Sequence, residues 1–129
     1  MFDQPTVVSP ALEPRSEPEE LAAARARIAQ EGESGQFVAY ETDEGFSVVR
    51  IADGWSRIGR SPSAGIQLDD PTVSRRHALL VRRPEGELSV LDDRSLNGVF
   101  VNGERADWSE LADGDELAIG RYRLHVIAT

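Results

Sequence analysis

An antiparallel β-sandwich preceded by an N-terminal tail is the fold that this sequence predicts, on three observations. From Gln36 onward, apolar residues alternate with polar ones at the period of two that half-buried strands show. Turn-forming residues separate these runs roughly every 8 to 12 positions, a spacing typical of sandwiches. A chain of 129 residues suits one domain and leaves room for one tail. We therefore predict a tail over residues 1–35 and a sandwich over residues 36–129.

Nine runs have the character of strands. The first two, Phe37–Tyr40 and Phe46–Ile51, flank a Thr-Asp-Glu-Gly turn, and Pro84–Gly86 has the composition of a hairpin loop. The other predicted strands are 55–59, 66–68, 78–83, 87–91, 99–101, 116–119 and 122–127. The fold class is therefore all-β.

The tail has two parts. Residues 1–18 contain four prolines and no usable period, which predicts an extended, flexible segment. A short helix is predicted over 19–31, because Ser16 and Glu19 fit a capping box and Gly32 follows where a helix can end. One face of this helix is apolar, through Leu21, Ala24 and Ile28. Since that apolar surface is small, we expect the helix to be partly populated or lightly docked.

Composition narrows the classes of function. The net charge of −9 disfavours nonspecific nucleic-acid binding, which requires many basic groups. Residues 1–45 carry most of the excess, with ten acidic residues against three arginines, a net of −7. With no cysteine and two histidines, neither a disulfide nor a metal site nor any other cofactor is expected. No run has the length of a membrane span and no signal peptide is apparent, so we expect a cytoplasmic protein that does not bind membranes.

Three polar turns carry residues suited to a ligand. Gly59 and Arg60 follow one predicted strand, Thr72 to His77 precede another, and Ser95 to Gly98 precede a third. Turns of this kind can meet at one end of a β-domain. Together they offer a guanidinium, a hydroxyl and an amide, which suit an anion carried on a peptide.

The order Gly-Arg, Ser-x-x-His and Asn-Gly resembles the forkhead-associated (FHA) family of phosphothreonine-binding domains. The matching residues are Gly59-Arg60, Ser74 to His77 and Asn97-Gly98, and similar segments extend from about Gln36 to the end of the chain. The resemblance implies an FHA-type β-sandwich with its recognition loops at one end. It also implies a non-enzymatic module that binds phosphothreonine-containing proteins in bacterial Ser/Thr kinase signalling.

The resemblance assigns the phosphopeptide contacts to Arg60, Ser74, Arg75, Leu96 and Asn97. A guanidinium at Arg60 matches phosphate oxygens bidentately, the alternative being a surface arginine paired with a carboxylate. Ser74 donates its hydroxyl to the phosphate, unless it bonds its own backbone in a turn. Arg75 reaches the phosphate or the peptide. Asn97 pairs with the peptide backbone, the alternative being an ordinary Asn-Gly turn.

Leu96 departs from the family pattern, in which threonine is frequent at this position. One hydroxyl donor is therefore missing, and we expect the backbone N–H of Leu96, or Ser95, to replace it. Arg121 lies in a second Ile-Gly-Arg tripeptide and is expected to be a solvated turn residue, and His125 is expected on the sheet surface.

His77 follows Ser74 by three residues, which raises the question of a catalytic pair. No Gly-x-Ser-x-Gly elbow is present, and nothing in the sequence places a carboxylate behind the ring. In the family the matching histidine braces the loops by hydrogen bonds. We therefore assign a supporting role to His77, together with Gly59 and Gly98.

Thr6 is the only threonine of the tail. Small bacterial FHA regulators of 2-oxoglutarate metabolism carry a tail threonine that a Ser/Thr kinase phosphorylates and that then occupies the protein's own FHA site. This chain is similar in layout, although the paired threonines of those tails are absent. We hypothesise such a switch at Thr6, against the alternative that the acidic tail only increases solubility.

Two classes of function remain at this point. The first is the phosphothreonine reader, whose partners would be phosphorylated proteins, a kinase and the protein's own tail. The alternative is a phosphate-independent regulator or scaffold that binds a metabolic enzyme through another face of the sandwich. Removing the Arg60 side chain separates them, because only the first function requires a phosphate ligand.

Overall fold

Alternating apolar side chains build two stacked sheets in the computed structural model, which describes residues 18–129. One helix, α1 (Glu19–Gln30), precedes the strands. The strands are β1 Gln36–Thr42, β2 Gly45–Arg50, β3 Gly54–Gly59, β4 Ile66–Gln67, β5 Ala78–Arg82, β6 Leu88–Asp92, β7 Val99–Val101, β8 Glu104–Arg105, β9 Trp108–Leu111, β10 Glu116–Ile119 and β11 Tyr122–Ala128. The predicted β-sandwich is confirmed.

The strands divide into two sheets. Sheet I has six strands in the order β2-β1-β11-β10-β7-β8, and sheet II has five in the order β4-β3-β5-β6-β9. Their inner faces form one core, which is dominated by fully buried aliphatic side chains such as Val38, Ile58, Leu80, Leu117 and Leu124. The alternation along each strand therefore determines which residues enter the core and which face outward.

Two features of the sheets differ from the sequence-based expectation. The pair β3–β4 is parallel, with Ile58 beside Ile66, whereas the other strand pairs are antiparallel. Strands β8 and β9 were not predicted. The first has only two residues, and the second presents Trp108 and Glu110 to solvent, so neither shows the apolar alternation that identified the others.

Helix α1 packs on the outer face of sheet I. Its three apolar residues, Leu21, Ala24 and Ile28, are 3–4% exposed. They form a second apolar cluster with Phe37, Ala39 and Ile127, whose side chains point away from the core. An ion pair between Arg25 and Asp113 at 2.8 Å joins the helix to the β9–β10 turn. The helix is thus firmly docked, and the expectation of light docking was wrong.

The sequence predicted the C-terminal end of the helix better than its N-terminal end. Gly32, at φ 68°, terminates it in a Schellman arrangement, with Gly32 N–H donating to Ala29 and Glu33 N–H to Ile28. The N-cap is Pro18, with no side-chain cap. Ser16, the first residue of the predicted capping box, lies outside the described residues. The predicted boundary between residues 35 and 36 stays a prediction.

Over residues 18–129, none of the helices is both long and apolar enough to cross a membrane. The same residues contain no group of three or more metal-ligating side chains placed to share an ion.

Candidate functional site

The three turns singled out in the sequence meet at one end of the sandwich. Arg60 follows β3, the segment Thr72–His77 precedes β5, and Ser95–Gly98 precedes β7. The turn between β10 and β11, at Gly120 and Arg121, joins them there. We call these four segments the loop cluster.

Arg60 is fixed to the Thr72–His77 segment through its backbone and through one nitrogen of its side chain. Its N–H donates to Ser74 O at 2.9 Å, and its Nε donates to Val73 O at 3.0 Å. Within residues 18–129 its two terminal Nη groups have no hydrogen-bond partner. The guanidinium is therefore oriented while its outer edge remains open to an anion.

Ser74 links two of the turns through its side chain. Its Oγ accepts a hydrogen bond from the N–H of Leu96 at 3.0 Å. Because the oxygen acts there as an acceptor, the hydroxyl proton stays available for another partner. The Leu96 N–H is consequently used inside the cluster, whereas the Leu96 side chain is 85% exposed. The expected replacement of the missing threonine hydroxyl by this N–H or by Ser95 stays a prediction.

Asn97 and Ser95 shape the β6–β7 turn. Asn97 Nδ2 donates to Thr72 O at 2.9 Å, which leaves Oδ1 without a partner among the described residues. Ser95 N–H donates to Asp92 Oδ1, and Ser95 Oγ accepts from Gly98 N–H at 2.9 Å. Ser95 is thus engaged within its own turn, and Asn97 keeps one acceptor oxygen that could accept a further hydrogen bond.

His77 is fully buried and connects its own segment, Thr72–His77, to the β6–β7 turn. Its Nδ1 lies 3.0 Å from Ser74 N and its Nε2 lies 2.8 Å from Gly98 O. Since a backbone N–H can only donate, Nδ1 carries no proton, and Nε2 must carry the proton that it donates to Gly98 O. Both ring nitrogens are therefore occupied in holding backbone, and neither is directed at a reacting group.

The remaining arginines near the cluster differ in their surroundings. Arg75 is exposed and has no side-chain hydrogen bond within the described part of the chain. Arg76 and Arg57 both approach Asp93, with Nε–Oδ2 distances of 3.5 and 3.8 Å. Arg75 therefore extends the positive surface beside Ser74, whereas Arg76 is directed to a carboxylate.

A hydrogen-bond network that the sequence did not reveal holds the Thr72–His77 segment in place. Asp70 Oδ1 accepts from both N–H and Oγ1 of Thr72, at 2.8 and 2.6 Å, and its Oδ2 accepts from Arg121 Nε at 2.6 Å. Thr72 Oγ1 also accepts from Arg121 N–H at 3.0 Å. Arg121 is half exposed, but it is an ion-paired member of the cluster rather than a merely solvated residue. The sequence signal that could have revealed this network is the Asp-x-Thr spacing of Asp70 and Thr72, which suits an Asx turn.

The same network changes the titration of Asp70. Hydrogen bonds from the Thr72 side chain, and next from Arg121, stabilise the carboxylate and lower its pKa to about 2. Arg121 responds in the opposite sense, since its hydrogen bond to Asp70 raises the pKa of the guanidinium.

Gly59 permits the close approach of the first two turns. A Cβ at this position would lie 2.2 Å from the carbonyl oxygen of Arg75, a distance that real side chains do not adopt. The requirement comes from packing, because Gly59 does not have a positive φ. Gly98, at φ 89°, meets the more usual requirement of a left-handed turn.

Comparison with known proteins identifies a family pattern in the same region. The family model described as FHA domain matches residues 56–120, which include the first three segments of the loop cluster and Gly120 of the fourth. The chain is 54% identical over 66 residues to the glycogen accumulation regulator GarA of Mycolicibacterium smegmatis, a match that covers 51% of this chain and 41% of that protein. It is 52% identical over 66 residues to the oxoglutarate dehydrogenase inhibitor of Corynebacterium diphtheriae, covering 51% and 46%. These matches span less than half the length of either relative.

Solved structures agree with the observed architecture. One from a study of phosphothreonine-dependent FHA domain interactions superposes with a TM-score of 0.69 at 27% identity, covering 74% of this chain and 98% of that one. The FhaA FHA domain, solved in complex with the intracellular domain of Rv3910, superposes with a TM-score of 0.66 at 28% identity, covering 71% and 99%. Thr6, by contrast, lies outside the described residues.

We predict that Gly59→Ala destabilises the protein by about 2 kcal/mol, because its methyl group would force the Arg75 carbonyl away. Gly65→Ala is the matched control, since a Cβ there meets nothing nearer than 3.8 Å and should change stability by less than about 0.5 kcal/mol. Urea denaturation of both variants measures the difference. Equal stabilities would show that the two turns are not packed as described.

A second prediction concerns the stability of the fold at acid pH. The pKa of Asp70 is about 2 in the folded protein, below the value of about 3.9 expected when unfolded. Its carboxylate therefore stabilises the fold above pH 4 or so, and this contribution is lost as the pH falls from about 4 to about 2. Asp70→Asn should be less stable than the wild type at pH 7, with a gap that narrows at pH 2.5. Urea denaturation at both pH values measures the gap, and a constant gap would contradict the assignment.

Proposed function

Because this chain belongs to the FHA domain family, we propose that its loop cluster binds phosphothreonine peptides in Ser/Thr kinase signalling. The observation that carries the proposal is the convergence of Arg60, Ser74 and Asn97, each with hydrogen-bonding capacity left over after its contacts inside the cluster. FHA domains are binding modules, so the proposal includes no catalytic step.

Each of the proposed contacts has a chemical counterpart in the ligand. The outer edge of the Arg60 guanidinium matches two phosphate oxygens, and the Ser74 hydroxyl proton matches a third. Asn97 Oδ1 accepts from a backbone N–H of the extended peptide, while exposed Arg75 adds a second positive charge beside the phosphate. Leu96 contributes its exposed side chain as apolar surface along the peptide.

The supporting residues keep these groups in place. His77 joins the backbones of Ser74 and Gly98, and Gly59 allows Arg60 to approach the Thr72–His77 segment. Because these contacts exist without a ligand, little ordering would remain to oppose binding. We therefore propose Gly59, His77 and Gly98 as the supporting residues of the site.

We expect immobilised wild-type protein to retain a degenerate phosphothreonine peptide library in preference to phosphoserine and unphosphorylated libraries. Arg60→Ala should weaken this retention by about a hundredfold, as expected when a charge-assisted bidentate contact is lost. Arg60→Lys should recover only part of it, since an ammonium keeps the charge but not the planar fork.

The matched control is Arg123→Ala, which removes the same charge from a position on β11 that pairs with Glu116. Retention by this variant should equal that of the wild type. If Arg60→Ala and Arg123→Ala behave alike, or if the library is not retained at all, the reader function is excluded.

The alternative function is phosphate-independent regulation of a metabolic enzyme. It is favoured by one observation, that relatives more than 50% identical over the matched region carry the name oxoglutarate dehydrogenase inhibitor. Such an activity would use a different face, and Arg60→Ala would leave it intact. The same pair of arginine variants, assayed for inhibition of oxoglutarate dehydrogenase by unphosphorylated protein, therefore separates the two functions.

We further propose that phosphorylated Thr6 occupies the protein's own site. Pro18, the first described residue, lines one cleft with Arg121 and Tyr122, and therefore lies at the end of the fold that holds the loop cluster. Thr6 lies twelve residues before Pro18. Twelve residues of fully extended chain span at most about 40 Å. A tethered phosphothreonine would act at an effective concentration on the order of millimolar, above that of most external partners.

Phosphorylation at Thr6 should therefore weaken binding of an external phosphopeptide at least tenfold. The measurement is a titration of labelled phosphopeptide into kinase-treated and untreated protein, with kinase-treated Thr6→Ala as the control. Unchanged affinity after stoichiometric phosphorylation of Thr6 would exclude the switch, while leaving the reader function itself unaffected.

A further inference from the structure

The outward face of sheet II contains both tryptophans of the chain. Strand register places Trp55, Val81, Ser89 and Glu110 side by side in one row, and Arg57, Leu79, Leu91 and Trp108 side by side in the next. We call the five apolar members of these rows the tryptophan face, namely Trp55, Leu79, Val81, Leu91 and Trp108.

These residues point away from the core because their neighbours in each strand point into it. Ile58, Leu80, Val90 and Leu111 are 0–7% exposed and pack against sheet I. The side chains between them must face outward. Trp55 is 73% exposed and Trp108 is 56% exposed. Since one tryptophan offers roughly 150–250 Å² of surface, these two alone leave about 200–300 Å² of aromatic surface uncovered.

The outer face of sheet I, unlike that of sheet II, is covered by a helix. On sheet I the outward residues Phe37, Ala39 and Ile127 are covered by helix α1. Within residues 18–129 no helix or second apolar cluster packs on the tryptophan face, where Leu79, Val81 and Leu91 are half-buried beside the two exposed tryptophans. Patches of this size on monomeric proteins are often interaction sites, and tryptophan is among the residues most enriched in interfaces.

We propose that the tryptophan face binds the same face of a second copy of this chain, forming a twofold-symmetric dimer. Charge is the first argument for this occupant. The arginines beside the face are ion-paired within the chain, Arg57 and Arg76 with Asp93 and Arg83 with Glu87, although the whole chain carries −9. Two copies can therefore approach through this face without the repulsion that their net charge imposes elsewhere.

Self-complementarity of the rows is the second argument. Arg57 and Trp108 occupy the two ends of one row, and Trp55 and Glu110 the two ends of the other. A twofold axis parallel to the strands places Arg57 of one copy over Trp108 of the next, and an axis across the strands places it over Trp55. Either packing sets the Arg57 guanidinium over an indole ring, and pairs of this kind attract. The same packing sets Glu110 over the other tryptophan, whose indole N–H is a donor that a carboxylate can accept.

Because these are the only two tryptophans in the sequence, tryptophan fluorescence, excited where tyrosine does not absorb, reports on this face alone. We expect sedimentation velocity to show a rising dimer fraction between about 1 μM and 1 mM protein, as mass action requires. Tryptophan emission should shift to shorter wavelength over the same range. Trp55→Thr and Trp108→Thr should each weaken dimerisation at least tenfold, and in each variant the remaining tryptophan should lose its concentration-dependent shift.

The matched control is Leu96→Thr, which removes an even more exposed apolar side chain from the loop cluster and should leave dimerisation unchanged. Three results would overturn the proposal. They are a single monomeric species throughout the range, a dimer that neither tryptophan substitution weakens, and a dimer that Leu96→Thr abolishes. A monomer whose tryptophans become buried only on binding a different protein would equally show that the occupant is not a second copy. The outcome does not depend on whether the loop cluster binds phosphopeptides.

Discussion

The buried imidazole of His77 is the interaction on which the loop cluster depends. One ring joins the backbone N–H of Ser74 to the backbone carbonyl of Gly98, two groups separated by more than twenty residues in the chain. A buried backbone group without a partner costs about 1–3 kcal/mol, so no aliphatic residue of similar size would serve. The neutral tautomer with its proton on Nε2 is the form that matches both partners. The geometry of a surface site is thereby fixed from inside the protein.

Around this bridge the cluster is held mainly by contacts that involve backbone, and its side chains are left to point outward. Arg60 receives its orientation from the Val73 carbonyl, and Ser74 is oriented by the Leu96 N–H. Asp70, Thr72 and Arg121 close the cluster on the side of the β10–β11 turn. A site built in this way is preorganised, since its donors are fixed before a ligand arrives.

The sequence predicted much of this arrangement, but unevenly. Alternation identified β1, β5 and β11, because half-buried strands leave a period of two. It missed β9, since Trp108 and Glu110 are both exposed and no apolar contrast remains. The three turns with candidate binding residues were recognised from their motif, and the structure brings them together. Arg121 was underestimated, because its role arises from Asp70, a residue more than fifty positions away.

Local chemistry by itself determined most of the strands and turns, the end of the helix at Gly32 and the donor set of the loop cluster. These features depend on periodicity, glycine conformation and side-chain type, all of which can be seen in a short stretch of sequence. Only the tertiary structure decided that β3 and β4 run parallel, that α1 is buried on sheet I, and that the two tryptophans share one uncovered face. The physical reason is that each strand has two faces, and pairing between distant strands selects which face is buried.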